Sequence, residues 1–415
     1  MKKIWILNQY ASPPEFEVRV RNNMMALYLT KMNYEVKIIS ASSIHNTNID
    51  LIKDNEKFIK KRYGQLNFIH IKTSQYVGNG LSRIKTMLEF PIKFCRLYKE
   101  FGEVPDLIIC DLDAIFFPFA KYVSKKVGCP VFLEVRDLWP ASIGVYKNIS
   151  DKNILMKFLY HIEKKAYIQC DQLIFSMSGG YEYIKDKKWD KYIDKNKVHY
   201  INNGIDLATF HYNRENYIYS DIELENDTNF KVFYVGSIRL ANGVKNIINI
   251  AEIILKMNEN ISFYIFGDGD EKEELMNYCL ENKISNVHFK GSIDKKFVPS
   301  ALRFSDLNII HFKNSKLKKY GASLNKLFEY LASGKPILCD CVFHQDIINE
   351  NQCGISIDNQ NSTVLAEKVL ELKNLDESKY KELCNNCLKT SEKYDYQILT
   401  EKLEKIIEIY GGNKI

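Results

Sequence analysis

The chain has 415 residues, 46% apolar and 27% charged, a globular composition that excludes a disordered or fibrous protein. At about 150 residues per domain, this length predicts two or three domains. The formal charge of +6 is uneven, with 32 Lys/Arg against 21 Asp/Glu in residues 1–200 and 26 against 31 in residues 201–415. Lys53–Lys99 alone holds 11 basic residues and three acidic ones. Such a stretch predicts an anionic partner: phosphates, an anionic membrane surface or nucleic acid. It is not organised around any recognisable nucleic-acid reader motif, so nucleic acid is disfavoured. The longest apolar runs, such as Ala114–Ala120, fall short of the ~18–20 residues that span a bilayer. Lys2-Lys3 before Ile4–Leu7 looks briefly like a signal peptide, but the run stops at Asn8 and reads as a first strand. The ten Cys show no disulfide framework, and Cys384-Asn-Asn-Cys387 lacks a second metal-binding pair. Reduced thiols point to the cytoplasm.

Short apolar runs alternate with helical segments along the whole chain. In the first half the strands are Ile4–Leu7, Val36–Ser40, Phe68–Ile71, Leu107–Cys110, Val131–Val135, Leu173–Ser176 and Val198–Ile201. Unbroken apolar runs of this kind suit parallel strands covered on both faces. Helices are expected over about 19–31, 82–101, 114–127, 153–170 and 178–187. Asn202-Asn-Gly-Ile-Asp206 reads as a turn, and Asn213–Asn229 is polar with no clear period. The pattern then restarts with strands Val232–Val235, Phe263–Phe266, Val287–Phe289, Leu307–His311, Ile337–Cys339 and Ile355–Ile357. Helices over about 243–258, 271–283, 294–303, 325–333 and 361–373 alternate with them, and a last helix covers about Gln397–Tyr410. Two such runs predict an α/β protein with two doubly wound domains. Ligands of such sheets bind outside the carboxyl ends of the strands, here expected to face an interdomain cleft.

Several strand-to-helix junctions carry chemistry. Ser323–Pro336 reads as a helix with Ser323 or Asn325 as its cap and Gly334 as its end. A helix start offers unpaired N–H groups and a positive dipole for a diphosphate. Lys326 adds a cation there, and Glu329 on the next turn can accept bonds from sugar hydroxyls. The plainer reading is an amphipathic helix with a surface Lys–Glu pair. Phe233–Asn246 runs from a strand through a glycine loop into a helix, with Arg239 and Lys245 nearby, which suits phosphate. It matches neither G-x-G-x-x-G nor the P-loop. Gly267-Asp-Gly269 permits close backbone approach. Asp111-Leu-Asp113 has the spacing of a metal-binding D-x-D, a short pattern that is common by chance. Glu134-Val-Arg-Asp-Leu-Trp-Pro140 sets two acids, an Arg and a Trp at a strand end, where active-site residues collect. Alternatively, Arg136 and Asp137 form a local ion pair and Trp139 packs the loop. Ser82–Phe101 is basic, aromatic and amphipathic, with Pro91 expected to kink it. It suits either an anionic lipid surface or an ordinary covering position on the sheet.

Taken together and in order, these segments resemble the retaining GT-B glycosyltransferases of family 4. The likeness is to the bacterial surface-polysaccharide subgroup that includes fucosamine-transferase-like O-antigen enzymes. Asn8–Pro14, Tyr76-Val-Gly-Asn-Gly80 with Arg83, and Glu134–Pro140 are similar to that subgroup's signatures. Asn202–Asp206 resembles the family's hinge. Gly267–Gly269, Phe289-Lys-Gly291 and Lys326–Pro336 resemble its donor-domain motifs. The resemblance implies residues 1–203 as an acceptor-binding Rossmann-like domain and 204–394 as a nucleotide-sugar domain. Residues 395–415 would form a helix packing back on the first domain.

The resemblance further implies that Glu329 bonds the ribose and that Ser323, Leu324 and Asn325 meet the diphosphate. Ser292 and Ile293 lie beside the base. Gly267, Arg239, Lys245 and Lys326 complete the nucleotide-sugar set. Glu134, Arg136 and Asp137 are the catalytic candidates, at the strand end where relatives often carry His-Asp. Pro13, Pro14 and Arg21 belong to the acceptor-side loop, where Phe16-Glu17 replace the usual glycines. The first Glu of the family's Glu pair falls on Gly321, and the usual Arg and Lys of the glycine loop fall on Ser237 and Asn242. The implied reaction uses no metal or other cofactor. The implied partners are a nucleotide-sugar donor, with UDP favoured, and a lipid-linked diphosphate or glycan acceptor. The basic first half adds the anionic inner membrane surface, with the chain cytoplasmic and peripheral to it. The competing readings are a nucleotide-sugar epimerase of the same fold and a non-catalytic sugar-nucleotide- or nucleic-acid-binding protein.

Overall fold

Two parallel sheets organise the chain, and the computed structural model describes residues 1–16, 20–45, 47–76, 78, 80–313 and 315–412. One unit comprises Met1–Asn202 together with the segment from Leu399 onward, and the other comprises Asn203–Ile398. The strands of the first unit are β1 (Lys3–Leu7), β2 (Glu35–Ala41), β3 (Phe58–Tyr63), β4 (Leu66–Ile71), β5 (Leu107–Cys110), β6 (Val131–Val135), β7 (Gln172–Phe175) and β8 (Val198–Tyr200). Its helices are α1 (Arg21–Lys31), α2 (Leu81–Leu97), α3 (Phe117–Val127), α4 (Ala141–Tyr146), α5 (Ile154–Gln169) and α6 (Gly180–Asp186). The sheet order is β3-β4-β2-β1-β5-β6-β7-β8, parallel except for the β3–β4 hairpin. Trp5 of β1 sits in its core against Phe94 and Phe101, with ring centroids 6.3 and 5.6 Å away.

The second unit opens with α7 (Leu207–Asn216) and α8 (Ile222–Asn226). Then follow β9 (Phe230–Val235), α9 (Val244–Lys256), β10 (Ile261–Phe266), α10 (Lys272–Glu281), β11 (Val287–Gly291) and α11 (Val298–Ala301). The chain continues through β12 (Leu307–Ile310), α12 (Asn325–Ser333), β13 (Ile337–Cys339), α13 (Ile347–Glu350) and β14 (Gly354–Ser356). It ends in α14 (Ser362–Lys373), α15 (Glu377–Glu392) and α16 (Tyr396–Gly412). All six strands are parallel, in the order β11-β10-β9-β12-β13-β14. Alternate residues feed two cores. Phe233, Tyr264 and Ile310 enter one, and Val232, Phe263 and Ile309 enter the other. Burial on both faces explains the unbroken apolar runs. Among the described residues, no helix is long and apolar enough to cross a membrane. All ten Cys are free thiols.

Besides adding helices α4, α13 and α15, the structure departs from the sequence-based expectation in four places. Residues 58–63 form an edge strand, whose Lys60, Lys61 and Arg62 are exposed. Charge at an edge blocks sheet-to-sheet pairing, so part of the basic run is edge protection. The stretch 213–229 contains all of α8 and the end of α7. Each helix buries one residue, Leu224 and Phe210, which is why no period shows. The helix expected over 294–303 is broken into short turns around α11, which has Pro299 in its first turn. Finally, α2 runs through Pro91 to Leu97, with a 3-10 turn at Tyr98–Phe101. Its aromatic side is core, with Phe90, Phe94 and Phe101 buried. On that side α2 is a covering helix.

The first unit also encloses a carboxyl group remote from the strand ends. Glu163 of α5 is buried and accepts bonds from Tyr167 Oη at 2.7 Å and Tyr183 Oη at 2.9 Å. Burial pushes its carboxyl up to about 8, against the opposing pull of the two tyrosine bonds and Lys187. Between the ordinary value of ~4.3 and that level, the folded chain holds a proton that the unfolded chain has lost. The stabilisation from this proton is complete below that window and lost as pH rises through it. Its slope is about 1.4 kcal/mol per pH unit at most. Glu163→Gln should flatten the stability profile between pH ~5 and ~8 in urea unfolding. Parallel wild-type and variant profiles would contradict this.

Candidate active site

In the second unit, glycines draw the carboxyl ends of β9, β10 and β11 together. Gly236 N donates to Phe266 O at 2.9 Å, and Gly267 N donates to Gly291 O at 2.8 Å. Gly267 holds φ +143°, and a Cβ there would run into the Gly236 carbonyl. Only glycine lets the two backbones meet. Gly267→Ala should therefore cost more than about 2 kcal/mol in urea unfolding, through strain and overpacking. A loss under about 0.5 kcal/mol would show that the loop relaxes freely.

The start of α12 lies at this end of the sheet. Its N-cap is Leu324, in extended conformation, with no side-chain cap bond. Neither Ser323 nor Asn325 caps the helix as the sequence suggested. Both are engaged by Asn203 instead. Ser323 Oγ accepts from Asn203 N at 3.0 Å, and Asn325 Oδ1 accepts from Asn203 Nδ2 at 2.9 Å. The positive helix end is thus held in place yet left without a side-chain cap, the condition for anion binding.

Lys326 turns back onto β9 rather than into solvent. Its Nζ donates to Tyr234 Oη at 3.1 Å and lies 4.3 Å from the ring centroid. Tyr234 Oη in turn donates to Ser237 O at 2.9 Å. A Cβ added at Gly236 would fall 3.0 Å from Lys326 Nζ, so the ammonium sits over the glycine loop. Burial lowers Lys326 to about 8, against the opposing pull of Glu329. Glu329 is raised by burial, with Lys295 and Lys326 holding it down. Its Oε1 lies 3.9 Å from Lys295 Nζ. The sequence reading picked out neither Lys295 nor Tyr234. Lys295 follows the Ser292–Ile293 loop by two residues, which is the one signal that pointed to it.

The remaining second-unit candidates divide. Ser292 is exposed after β11, and Ile293 packs partly buried against the core that holds Leu327 and Phe328. Arg239 is exposed at the start of the turn Leu240–Asn242. Lys245 is directed onto the Tyr278 ring, away from the partners that hold Lys326, and burial lowers its pKa. Gly321 has φ +95° and ψ 176°, a conformation that L side chains rarely adopt. A Glu at 321 would be strained there, which accounts for the glycine. His311, which follows β12, pairs with buried Asp340 and packs against Gly243 at the start of α9.

In the first unit the candidates meet at the carboxyl ends of β1, β5 and β6. Arg136 does not pair with Asp137. Its guanidinium contacts Asp111 at 2.5 Å and Glu134 at 3.1 Å, and donates to the side-chain Oδ1 of Asn22. Asn8 Nδ2 also donates to Asp111, at 2.7 Å. Asp111 is therefore an ion-pair partner at this strand end. Asp137 itself is exposed. Asp113 is pushed up to about 6 by burial, with Asp137 and Asp111 adding to the effect.

Arg21 is the first residue of α1, is 2% exposed and holds the same Glu134 oxygen at 2.6 Å. It also donates to Ile201 O at 2.9 Å and to Asn202 O. Burial alone would raise Glu134, but Arg21 and Arg136 hold it below the usual range. Glu134 therefore orients Arg136 and is not an open base. Pro13 is buried, and Pro14 and Phe16 are exposed on the turn Pro14–Phe16. Arg83 sits over the Tyr10 ring at 5.8 Å. Glu17, Val77 and Asn79 lie outside the described residues.

This architecture is the GT-B fold, built on two Rossmann-like parallel sheets. Residues 218–393, which include the α12 site, match the family model of Glycosyl transferases group 1. Two curated relatives act in surface-polymer chemistry by their names. One is the putative teichuronic acid biosynthesis glycosyltransferase TuaH of Bacillus subtilis, 26% identical over 50% of this chain and 49% of its own length. The other is the poly(ribitol-phosphate) alpha-N-acetylglucosaminyltransferase of Staphylococcus aureus, 26% identical over 31% of this chain and 25% of its own. The match thus spans half or less of these relatives. Among solved structures, sucrose-phosphate synthase of Thermosynechococcus elongatus superposes with TM-score 0.75 at 13% identity, over 100% of both chains. Anabaena Alr3699/HepE in complex with UDP-glucose gives 0.63 at 13%, covering 98% of this chain and 100% of that one. At such identities the structural likeness carries the fold.

Proposed function

We propose that this chain is a retaining glycosyltransferase of family 4 that builds a bacterial surface polysaccharide. It takes a sugar from a nucleotide-sugar, with UDP as the favoured carrier, to a lipid-linked diphosphate or glycan acceptor. The observation that carries the reading is the α12 start, with its open N-terminus, half-buried Lys326 and neighbouring Glu329 at the strand ends. The N–H groups and Lys326 receive the diphosphate, and Glu329 accepts the ribose hydroxyls. When the glycosidic bond to phosphate breaks, negative charge grows on the leaving diphosphate. A fixed dipole and a desolvated ammonium stabilise that charge as it develops. In the first unit, Arg136, oriented by Glu134 and Asp111, presents a cation with exposed Asp137 beside it. That pairing suits an acceptor bearing phosphate and hydroxyl groups. The charge stabilisation comes from the chain itself, so transfer should persist in EDTA. An epimerase would use the same nucleotide site but no acceptor.

A thermal-shift screen against UDP, GDP, ADP and CMP tests the nucleotide assignment. A ligand at 100 times its Kd adds about 2.7 kcal/mol to stability. UDP should give the largest upward shift, and the Glu329→Ala variant should lose it. No shift with any of the four would contradict the reading.

A further inference from the structure

α5 carries its apolar residues on the wrong side for a helix that only covers a sheet. Its inner face buries Met156, Tyr160, Glu163, Ala166 and Tyr167. Yet Ile154 is 86% exposed, Leu155 57% and Phe158 59%, all within the first five residues. Large apolar side chains this open and this close together mark an interaction site. Lysines surround them: residues 145–165 hold five Lys against two acids. Both acids are engaged by neighbours. Glu163 is buried, and Asp151 is bonded by Lys187 at 3.2 Å and Tyr160 Oη at 2.8 Å. α5 also packs beside α4, the helix that follows the strand-end segment. The segment Glu134–Pro140 leads straight into α4, and a Cβ on Gly144 of α4 would touch Met156 at 3.1 Å.

We propose that the first turns of α5 are a membrane-docking face, with Ile154, Leu155 and Phe158 entering the headgroup region of an anionic bilayer. Lys147, Lys152, Lys157 and Lys165 meet its phosphates. An apolar wedge ringed by cations fits this partner, because burial and lipid charge then act together. The role deepens the proposed function and rests on it for its purpose: a lipid-linked acceptor lies in that same surface. It adds a second contact to the one expected over Lys53–Lys99, where Lys93 is held by Glu89 at 2.6 Å and by Lys72 O, and Lys72 by Asp50.

The test is cosedimentation of the full chain with phosphatidylcholine vesicles, with and without phosphatidylglycerol. The wild type should pellet with the anionic vesicles. Leu155→Gln with Phe158→Gln should lower that binding about tenfold or more through lost apolar burial. Lys152→Glu with Lys157→Glu should weaken it most at low salt, since the Debye length falls from ~10 Å at 0.1 M to ~3 Å at 1 M. Both variants should keep the wild-type urea midpoint by tryptophan fluorescence, which shows the first unit folded, since all three Trp lie in it, and both should keep the UDP thermal shift. If the wild type pellets with neither vesicle, or the Gln pair binds as well as it does, the proposal fails. A wild-type dimer in light scattering that the Gln pair converts to monomer would also overturn it, assigning the patch to a second copy. Loss of the UDP response in the wild type would instead strike the nucleotide reading and leave the docking result standing.

Discussion

Lys326→Ala should weaken nucleotide-sugar binding about ten- to a hundredfold and abolish or nearly abolish transfer, as should Glu329→Ala. The loss of one charged hydrogen bond in a desolvated site is worth about 1.5–3 kcal/mol. Both side chains are solvent-shielded enough for burial to shift their pKa, so water replaces neither well. The pH dependence follows from the Lys326 value of about 8. Below it the ammonium is charged and attracts the diphosphate. Above it the charge is lost, so affinity should fall as pH rises through 8 to 9, before bound anion raises the value. Folding stability runs the other way. The unfolded lysine keeps its proton up to ~10.4, so the cost of burying the charge fades and stability rises between about 8 and 10. Calorimetric titration of UDP at pH 7 and 9 checks this. Wild-type affinity in Lys326→Ala, or a flat profile, would remove the lysine from the site.

Arg21→Ala should destabilise the first unit by about 3–5 kcal/mol, the usual cost of breaking a buried ion pair. The variant strips Glu134 of one partner and leaves the carbonyls of Ile201 and Asn202 without their guanidinium donor. It would also loosen Arg136, whose Nε uses the same Glu134 oxygen. Urea unfolding followed by tryptophan fluorescence should show the loss, with the UDP response of the second unit retained. A cost below about 1 kcal/mol would mean that Arg21 is a dispensable surface-type pair.

Much of this molecule is legible in the sequence where one physical signal dominates. Val131–Val135 and Ile337–Cys339 are strands as read, because burial on both faces leaves only apolar residues. The α12 helix is legible from its period and from Gly334, which ends it at φ +68°. Its cap is not, because Ser323 and Asn325 bond Asn203, 120 or more residues away in sequence. Arg21 is missed as a clamp for the same reason. It reads as one cation near a loop, and its partner Glu134 is 113 residues distant. Residues 58–63 hide as a strand because their edge position demands the charges that argue against a strand. Lys245 sits in a phosphate-like sequence, yet its long side chain folds onto Tyr278 of α10. Gly321 reads only as a missing carboxylate, while the structure supplies its backbone reason at φ +95°.

The most direct test of the central claim is a transfer assay with labelled UDP-sugars and a lipid-diphosphate acceptor extract, run in EDTA. The account predicts acceptor-dependent label in the lipid product, lost in Lys326→Ala and Glu329→Ala. Conversion of the UDP-sugar to an isomer without acceptor, or label that appears only when manganese or magnesium is restored, would contradict it.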